Sequence, residues 1–518
     1  MKGNPMKKSI PEIRLNGESL TIDNLFDVVY NSTPVKLDAA SVVKVEKSRR
    51  YVEDLVKKEK IVYGITTGFG EFASVSIKKQ DAARLQKNLI MSHAAGCGEN
   101  YRPEFVRAAM LLRANALAKG YSGITLKTLQ TLIDLINHNI TPMVPIHGSV
   151  GSSGDLAPLS HIVLAMLGMG EVLYKGKVIK AEAALRQAKI TKAELSYKEG
   201  LALINGTQMM CGIGALLVRR ANELYLLANT AAALSTEAMM GTPRAFDPLI
   251  SMVRPHKGQM LTSKIMCSLI KGSNIVKSHT DCEEVQDAYS IRCIPQVHGA
   301  IYDAVKYVET VIDVEMNSAT DNPLIFPDEN EVISGGNFHG EPIAIAMDFL
   351  GIAAAELASI SERRSDRLVN PNNSHRTLPA FLIKNGGLNS GFMIAQYTAA
   401  SVVSENKVLA HPAVVDSIPT SANKEDFNSM GSISARKCIK IIENTEYALA
   451  IELLLACQGL DFRLPVKSSA KLMKVHSMVR KHVTHMSEDR ILSEDINKVV
   501  NLIKTPEFNE LIESICRV

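Results

Sequence analysis

The chain has 518 residues, 46% of them hydrophobic and 22% charged, which is enough apolar material for one large core or two fused ones. The net charge of +4 is mixed in sign along the chain, with no dense Lys/Arg run interleaved with aromatics, and this argues against nucleic acid as a partner. No apolar run reaches the roughly 18 residues that span a bilayer, the basic start has no apolar stretch behind it, and the scattered cysteines form no zinc or disulfide spacing, so a cytoplasmic globular chain with reduced thiols and no metal is expected.

Taken in order, the first 60 or so residues mix a short polar start (IRLNGESLTIDNLFDVV) with a charged helical stretch (SVVKVEKSRRYVEDLVKKEK). IVYGITTGFGEF then reads as a short strand entering a loop punctuated by Gly64, Gly68 and Gly70. From about residue 80 apolar residues recur every three or four positions, in DAARLQKNLIMSHAAG, RAAMLLRANALAKG and LKTLQTLIDLINHNI, which predicts helices. Three later stretches, 209–240, 342–367 and 435–462, are apolar nearly all round, and such helices have to be buried by other helices. The expected fold is mainly α: a long central helix bundle, with a smaller mixed α/β N-terminal region. The expected division is 1–200 for that N-terminal region and 201–518 for the bundle and oligomerisation region.

Chemistry concentrates in HGSVGSSGDLAPLSHIVLAMLGMGE, 147–171. Gly148, Gly151 and Gly154 surround Ser152 and Ser153, and a helix follows with Asp155 as N-cap and Pro158 in its first turn. A helix N-terminus stabilises developing negative charge. Read locally, the stretch is an ordinary Gly/Ser turn capping a helix. It is neither a P-loop, since no Gly-Lys-Ser/Thr follows, nor a GxSxG elbow.

Nine segments, in order along the chain, change that reading. They are YGITTGFG (63–70), NLIMSHAAG (88–96), GSVGSSGDLAPLSH (148–161), LALINGTQ (201–208), DAYSIRCIPQVHG (287–299), NSATDNPL (317–324), GGNFHG (335–340), LNSGFMIAQ (388–396) and SANKEDFNSMG (421–431). Together they resemble the histidine and aromatic amino acid ammonia-lyases over most of the chain. The resemblance implies that Ser152-Ser153-Gly154 cyclises without a partner, losing two waters to give 4-methylidene-imidazol-5-one (MIO). Ser153 would supply the methylidene by losing its hydroxyl, and glycine at 154 lets the amide nitrogen approach the carbonyl of residue 152. The family usually has alanine where this chain has Ser152, whose side chain only decorates the ring.

The resemblance also implies roles. Tyr63 is the candidate base, on a loop that closes over substrate; the plainer alternative is a packing residue at a strand end. Tyr289 and Arg292 share a helix face, and Arg292 is the expected partner of the substrate α-carboxylate. Asn205 would bond that carboxylate or the ring carbonyl; otherwise it is a helix cap, in competition with Thr207. Phe338 would pack on the ring or the substrate, or simply in the core. His93, Met393 and Glu425 follow the histidine enzymes, since a carboxylate can accept an imidazole N–H and offers an apolar ring nothing. Lys424 and Phe427 depart from the NQEDH usual there and, with Ser152, leave room for another substrate. The implied activity is elimination of ammonia from L-histidine to give urocanate, with tyrosine or phenylalanine elimination and 2,3-aminomutation as alternatives. The implied assembly is a homotetramer with shared active sites. His476, His482 and His485 read as a solvated helix face rather than metal ligands.

Overall fold

A computed structural model describes residues 12–68, 79–280, 285–372 and 378–518. The expected helices are there, and local chemistry starts many of them. Thr21 and Asn24 form a reciprocal capping box on Ile22–Tyr30, and Asp38, Thr125, Ser469 and Thr505 each accept an N–H at the start of a helix. The three most apolar stretches become Gln208–Ala238, Glu341–Val369 and Gly431–Asp461, and Ile294–Met316 is a fourth long helix. The described chain is mainly α, with only short strands.

The chain divides into two compact units. One comprises Met1–Leu216, Glu309–Asp348 and Pro412–Arg436; the other comprises Leu217–Val308, Phe349–His411 and Lys437–Val518. The strands all lie in the first unit. Ile13–Leu15 pairs in parallel with Val35–Leu37, while Cys97–Asn100 pairs antiparallel with Pro145–His147. Thr141–Pro142, Glu171–Tyr174 and Lys177–Lys180 form a small antiparallel sheet, and Leu324–Phe326 and Glu331–Ile333 form a hairpin. Helix Pro103–Ala118 is the centre of this unit, buried continuously from Phe105 to Ala118. Its Arg107 is buried yet satisfied: the guanidinium donates to Val28 O, Val29 O and Ile136 O, carbonyls in the last turns of two neighbouring helices. Those carbonyls have no intrahelical partner, and the helix dipole favours a cation there.

The second unit is held around a buried ion pair. Arg364 Nε and Nη2 donate to the two oxygens of Glu452 at 2.5 and 2.9 Å, and Ser235 Oγ donates to Glu452 at 2.8 Å. His298 is fully buried beside them, and burial, then the Arg364 charge, holds its pKa well below the usual value. A neutral ring fits its contacts: Nδ1–H donates to Asn229 Oδ1 at 2.8 Å, and Nε2 accepts from Arg364 at 3.4 Å.

Several expectations need correcting. Residues 61–68 form turns rather than a strand, with Ile65 N and Thr66 N both donating to Val62 O; Gly70 lies outside the described residues. His476 is not on a solvated face. It is 8% exposed, and its Nε2 bonds Asp461 at 2.7 Å, while His485 and Arg480 reach the same carboxylate at 2.8 Å. Helix Glu341–Val369 does contain an 18-residue window long and apolar enough to cross a bilayer, although 67% of that window is buried inside the protein. Asp348 and Glu356 interrupt it as an apolar run, which is why a reading by uninterrupted runs passes it over.

Candidate active site

The first unit cradles the Ser152-Ser153-Gly154 loop from three directions. Gly154 lies at φ +70° and bridges Gly206, and Asp155 N donates to Gly206 O at 2.7 Å. A Cβ at 154 would stand 2.1 Å from Gly206 O, so only glycine fits, both for its left-handed backbone and for this approach. From the other side Ser429 Oγ donates to Gly151 O at 3.0 Å, and Met430 N donates to Val150 O at 2.9 Å. Within the loop, Ser149 Oγ donates to Gly154 O and accepts from Gly151 N, both at 3.1 Å.

Asp155 corrects the sequence expectation. It makes no side-chain cap on its own helix, Leu156–Met166. Its Oδ2 accepts instead from Met209 N and Met210 N, at the start of helix Gln208–Ala238, and its Oδ1 accepts from Ser432 Oγ. It is completely buried. Burial raises its pKa to about 6 against those hydrogen bonds, which favour the carboxylate. One side chain therefore ties the loop to the beginning of a long helix.

Two polar side chains converge on Ser153. Asn205 Nδ2 donates to Ser153 O at 3.2 Å, while Asn205 Oδ1 is buried with no hydrogen-bond partner among the described residues. Asn205 follows helix Glu199–Ile204 as its C-cap, and Thr207 donates to Glu315 rather than competing for that position. Arg113 fixes the Asn205 backbone: Nη1 donates to Asn205 O at 2.9 Å and to Gln208 Oε1 at 2.9 Å, and Gln208 in turn donates to Thr320 Oγ1. On the far side, Ser153 Oγ donates to Glu425 Oε1 at 3.1 Å, and Thr420 Oγ1 donates to Glu425 Oε2 at 3.0 Å. His93 belongs to the same surroundings. Burial lowers its pKa, while a hydrogen bond to the Leu89 backbone and the charge of Glu425 oppose that shift.

The other expected residues are placed less centrally. Tyr63 sits in a turn stapled by Thr66 Oγ1 and Thr67 Oγ1, and lines a cavity of about 340 Å³ with Tyr51, Lys60, Pro323 and Glu331. Phe338 is half-buried in a turn, and its neighbour His339 stacks on Phe427, itself 61% exposed. Tyr289, Arg292 and Met393 belong to the second unit. Tyr289 is 70% exposed, with the Arg292 guanidinium 4.5 Å from its ring centre, and Met393 begins helix Met393–Leu409. Sequence reasoning missed Ser429, Ser432 and Thr420. Ser429 stands inside the quoted motif SANKEDFNSMG, but serines are too common for its pattern to mark it.

The chain is similar to known proteins over most of its length. A family model described as "Aromatic amino acid lyase" matches residues 20–481. A histidine ammonia-lyase of Caldanaerobacter subterraneus subsp. tengcongensis is 52% identical over 98% of this chain and 99% of its own. The crystal structure of histidine ammonia-lyase from Trypanosoma cruzi superposes with a TM-score of 0.91 at 44% identity, covering 98% and 96% of the two chains. A tyrosine aminomutase from Streptomyces globisporus gives 0.92 at 36% identity, over 97% and 99%. With a cradled Ser-Ser-Gly loop and a family match over most of its length, the chain belongs to the aromatic amino acid lyase family.

Proposed function

We propose that the chain is a histidine ammonia-lyase that converts L-histidine to urocanate and ammonia, in the cytoplasm, on an MIO group formed from Ser152, Ser153 and Gly154. The residues fit that group on two counts. Position 154 admits no Cβ, and Asn205 Nδ2 already bonds Ser153 O, the oxygen that becomes the ring carbonyl. When formed, MIO supplies an electrophilic methylidene that protein side chains lack, and so activates the amine for departure.

The chain's own groups then bind and orient the substrate. Glu425 carries the substrate assignment: its carboxylate stands at Ser153 within electrostatic reach of His93, where it can accept an imidazole N–H. Arg292 pairs with the α-carboxylate, and Asn205 assists with its buried, unpartnered Oδ1 directed to a donor on the substrate. Tyr63 removes the β-proton, which requires its phenol to be activated when its loop closes. Met393, Phe338 and Tyr289 line the site.

Tyr289, Arg292 and Met393 reach that site from neighbouring subunits of a homotetramer, with 201–518 as the region that assembles it. Helix Glu341–Val369 supports this: Ile345, Phe349 and Ile352 are exposed at helical spacing, an apolar stripe suited to burial by another chain. Urocanate absorbance on adding L-histidine to purified protein tests the assignment. Turnover of tyrosine or phenylalanine with none of histidine overturns it. The likeness to a tyrosine aminomutase, with Phe427 and Lys424 beside Glu425, favours 2,3-aminomutation as the second reading, which a β-amino acid seen by NMR would establish.

A further inference from the structure

Glu425 is placed on an atom that the finished prosthetic group no longer contains. Its Oε1 accepts the hydroxyl of Ser153 at 3.1 Å, and that oxygen leaves as water when the ring is made. The contact therefore belongs to ring formation, before any substrate arrives. The carboxylate is held for it. Thr420 Oγ1 occupies Oε2 at 3.0 Å, and the Thr420 and Glu425 backbones bond each other in both directions, at 2.9 and 3.3 Å. On the opposite side of the same residue Asn205 Nδ2 donates to Ser153 O. One residue is thus gripped at its carbonyl and at its leaving oxygen.

We infer that Glu425 is the general acid that expels the Ser153 hydroxyl during ring formation, a role separate from its later contact with substrate. The inference rests on the proposed MIO chemistry. In the first stage the Gly154 nitrogen bonds the carbonyl carbon of residue 152, and that carbonyl oxygen leaves as water with the Gly154 and Ser153 amide protons, leaving a C=N bond. Glu425 touches none of these atoms. In the second stage hydroxide is a poor leaving group until protonated. At rest Ser153 Oγ donates to the Glu425 carboxylate; once Oε1 takes a proton from solvent the hydrogen bond reverses, and Glu425 passes that proton across the same 3.1 Å contact to Ser153 Oγ. The Cβ–Oγ bond breaks, and water departs with that electron pair. The Ser153 Cα proton passes to solvent, and its bonding pair becomes the Cα=Cβ bond. Negative charge developing on Ser153 O during this step meets the Asn205 donor. Glu425 is left as the carboxylate it was at rest, so the net change is one water lost.

Intact mass of freshly made protein reads both stages without reference to activity. The wild-type chain should lack two waters. E425Q, which keeps the size and the hydrogen bond but cannot act as an acid, should lack one, with the second lost about a hundredfold more slowly. E425D, an acid on a shorter arm, should fall between. E425Q that lacks two waters as soon as wild type does overturns the inference, and so does E425Q that lacks none. Should E425Q not show wild-type far-UV circular dichroism, E425D decides alone: a second loss at the wild-type rate overturns the inference. A wild-type chain of full mass overturns the function proposed above, and this inference with it; two waters missing from both wild type and E425Q overturns only this one.

Discussion

At the residue scale, the site is organised around Ser153, and its neighbours can be separated by experiment. Asn205 bonds the Ser153 carbonyl, so N205A should slow the second water loss and, in chains that have reached the two-water mass deficit, lower kcat by about 10²–10³. A fall of less than about tenfold would remove Asn205 from the chemistry. Gly154 acts through space rather than through a functional group. G154A sets a methyl 2.1 Å from Gly206 O and should yield a chain of undiminished mass, without turnover; a normal deficit there would show that the loop yields. Ser153 and Gly154 were legible in the sequence because the residues proposed to cyclise are consecutive. The Asn205 and Glu425 contacts were legible only as family roles, since each depends on how chain segments 52 and 272 positions away meet the loop.

At the scale of elements, buried charge at helix ends sets the architecture. Arg107 closes the last turns of two helices, and Asp155 serves the first turn of a helix other than its own. Asp461 does comparable work near the end of helix Gly431–Asp461. Burial alone would raise its pKa, but the His476 hydrogen bond, the Arg480 charge and the His485 hydrogen bond outweigh burial and hold it at about 2. A carboxylate held below its ordinary value stabilises the fold above pH about 4, and that contribution is lost as pH falls through about 2. It amounts to about 2 kcal/mol. D461N should accordingly melt below wild type at neutral pH, and the gap should close on acidification. A gap independent of pH would show that Asp461 acts through shape alone. The apolar periodicity of these helices was plain in the sequence, but the partners of their polar residues were not, because periodicity marks the buried face without saying what lies against it.

For the whole molecule, the proposed assembly makes the active site a joint product of chains, and this is testable by mixing. On the proposed roles S153A would not form the ring and R292A would not hold the carboxylate, so each alone should be inactive. Co-expressed, they should recover measurable turnover, because some sites then combine an intact loop from one subunit with Arg292 from another. No recovery, in mixed oligomers verified by mass, would confine the site to a single chain. What the sequence determined by itself was the helical class and membership of a chemical family. These are written in neighbouring residues, as apolar spacing or as a motif. Tertiary structure decided which helix Asp155 serves, that His476 is inside rather than solvated, and that Glu425 rests on the Ser153 hydroxyl. The physical reason is that a hydrogen bond is short and directional, so its partner is chosen only when packing brings distant stretches of chain within about 3 Å.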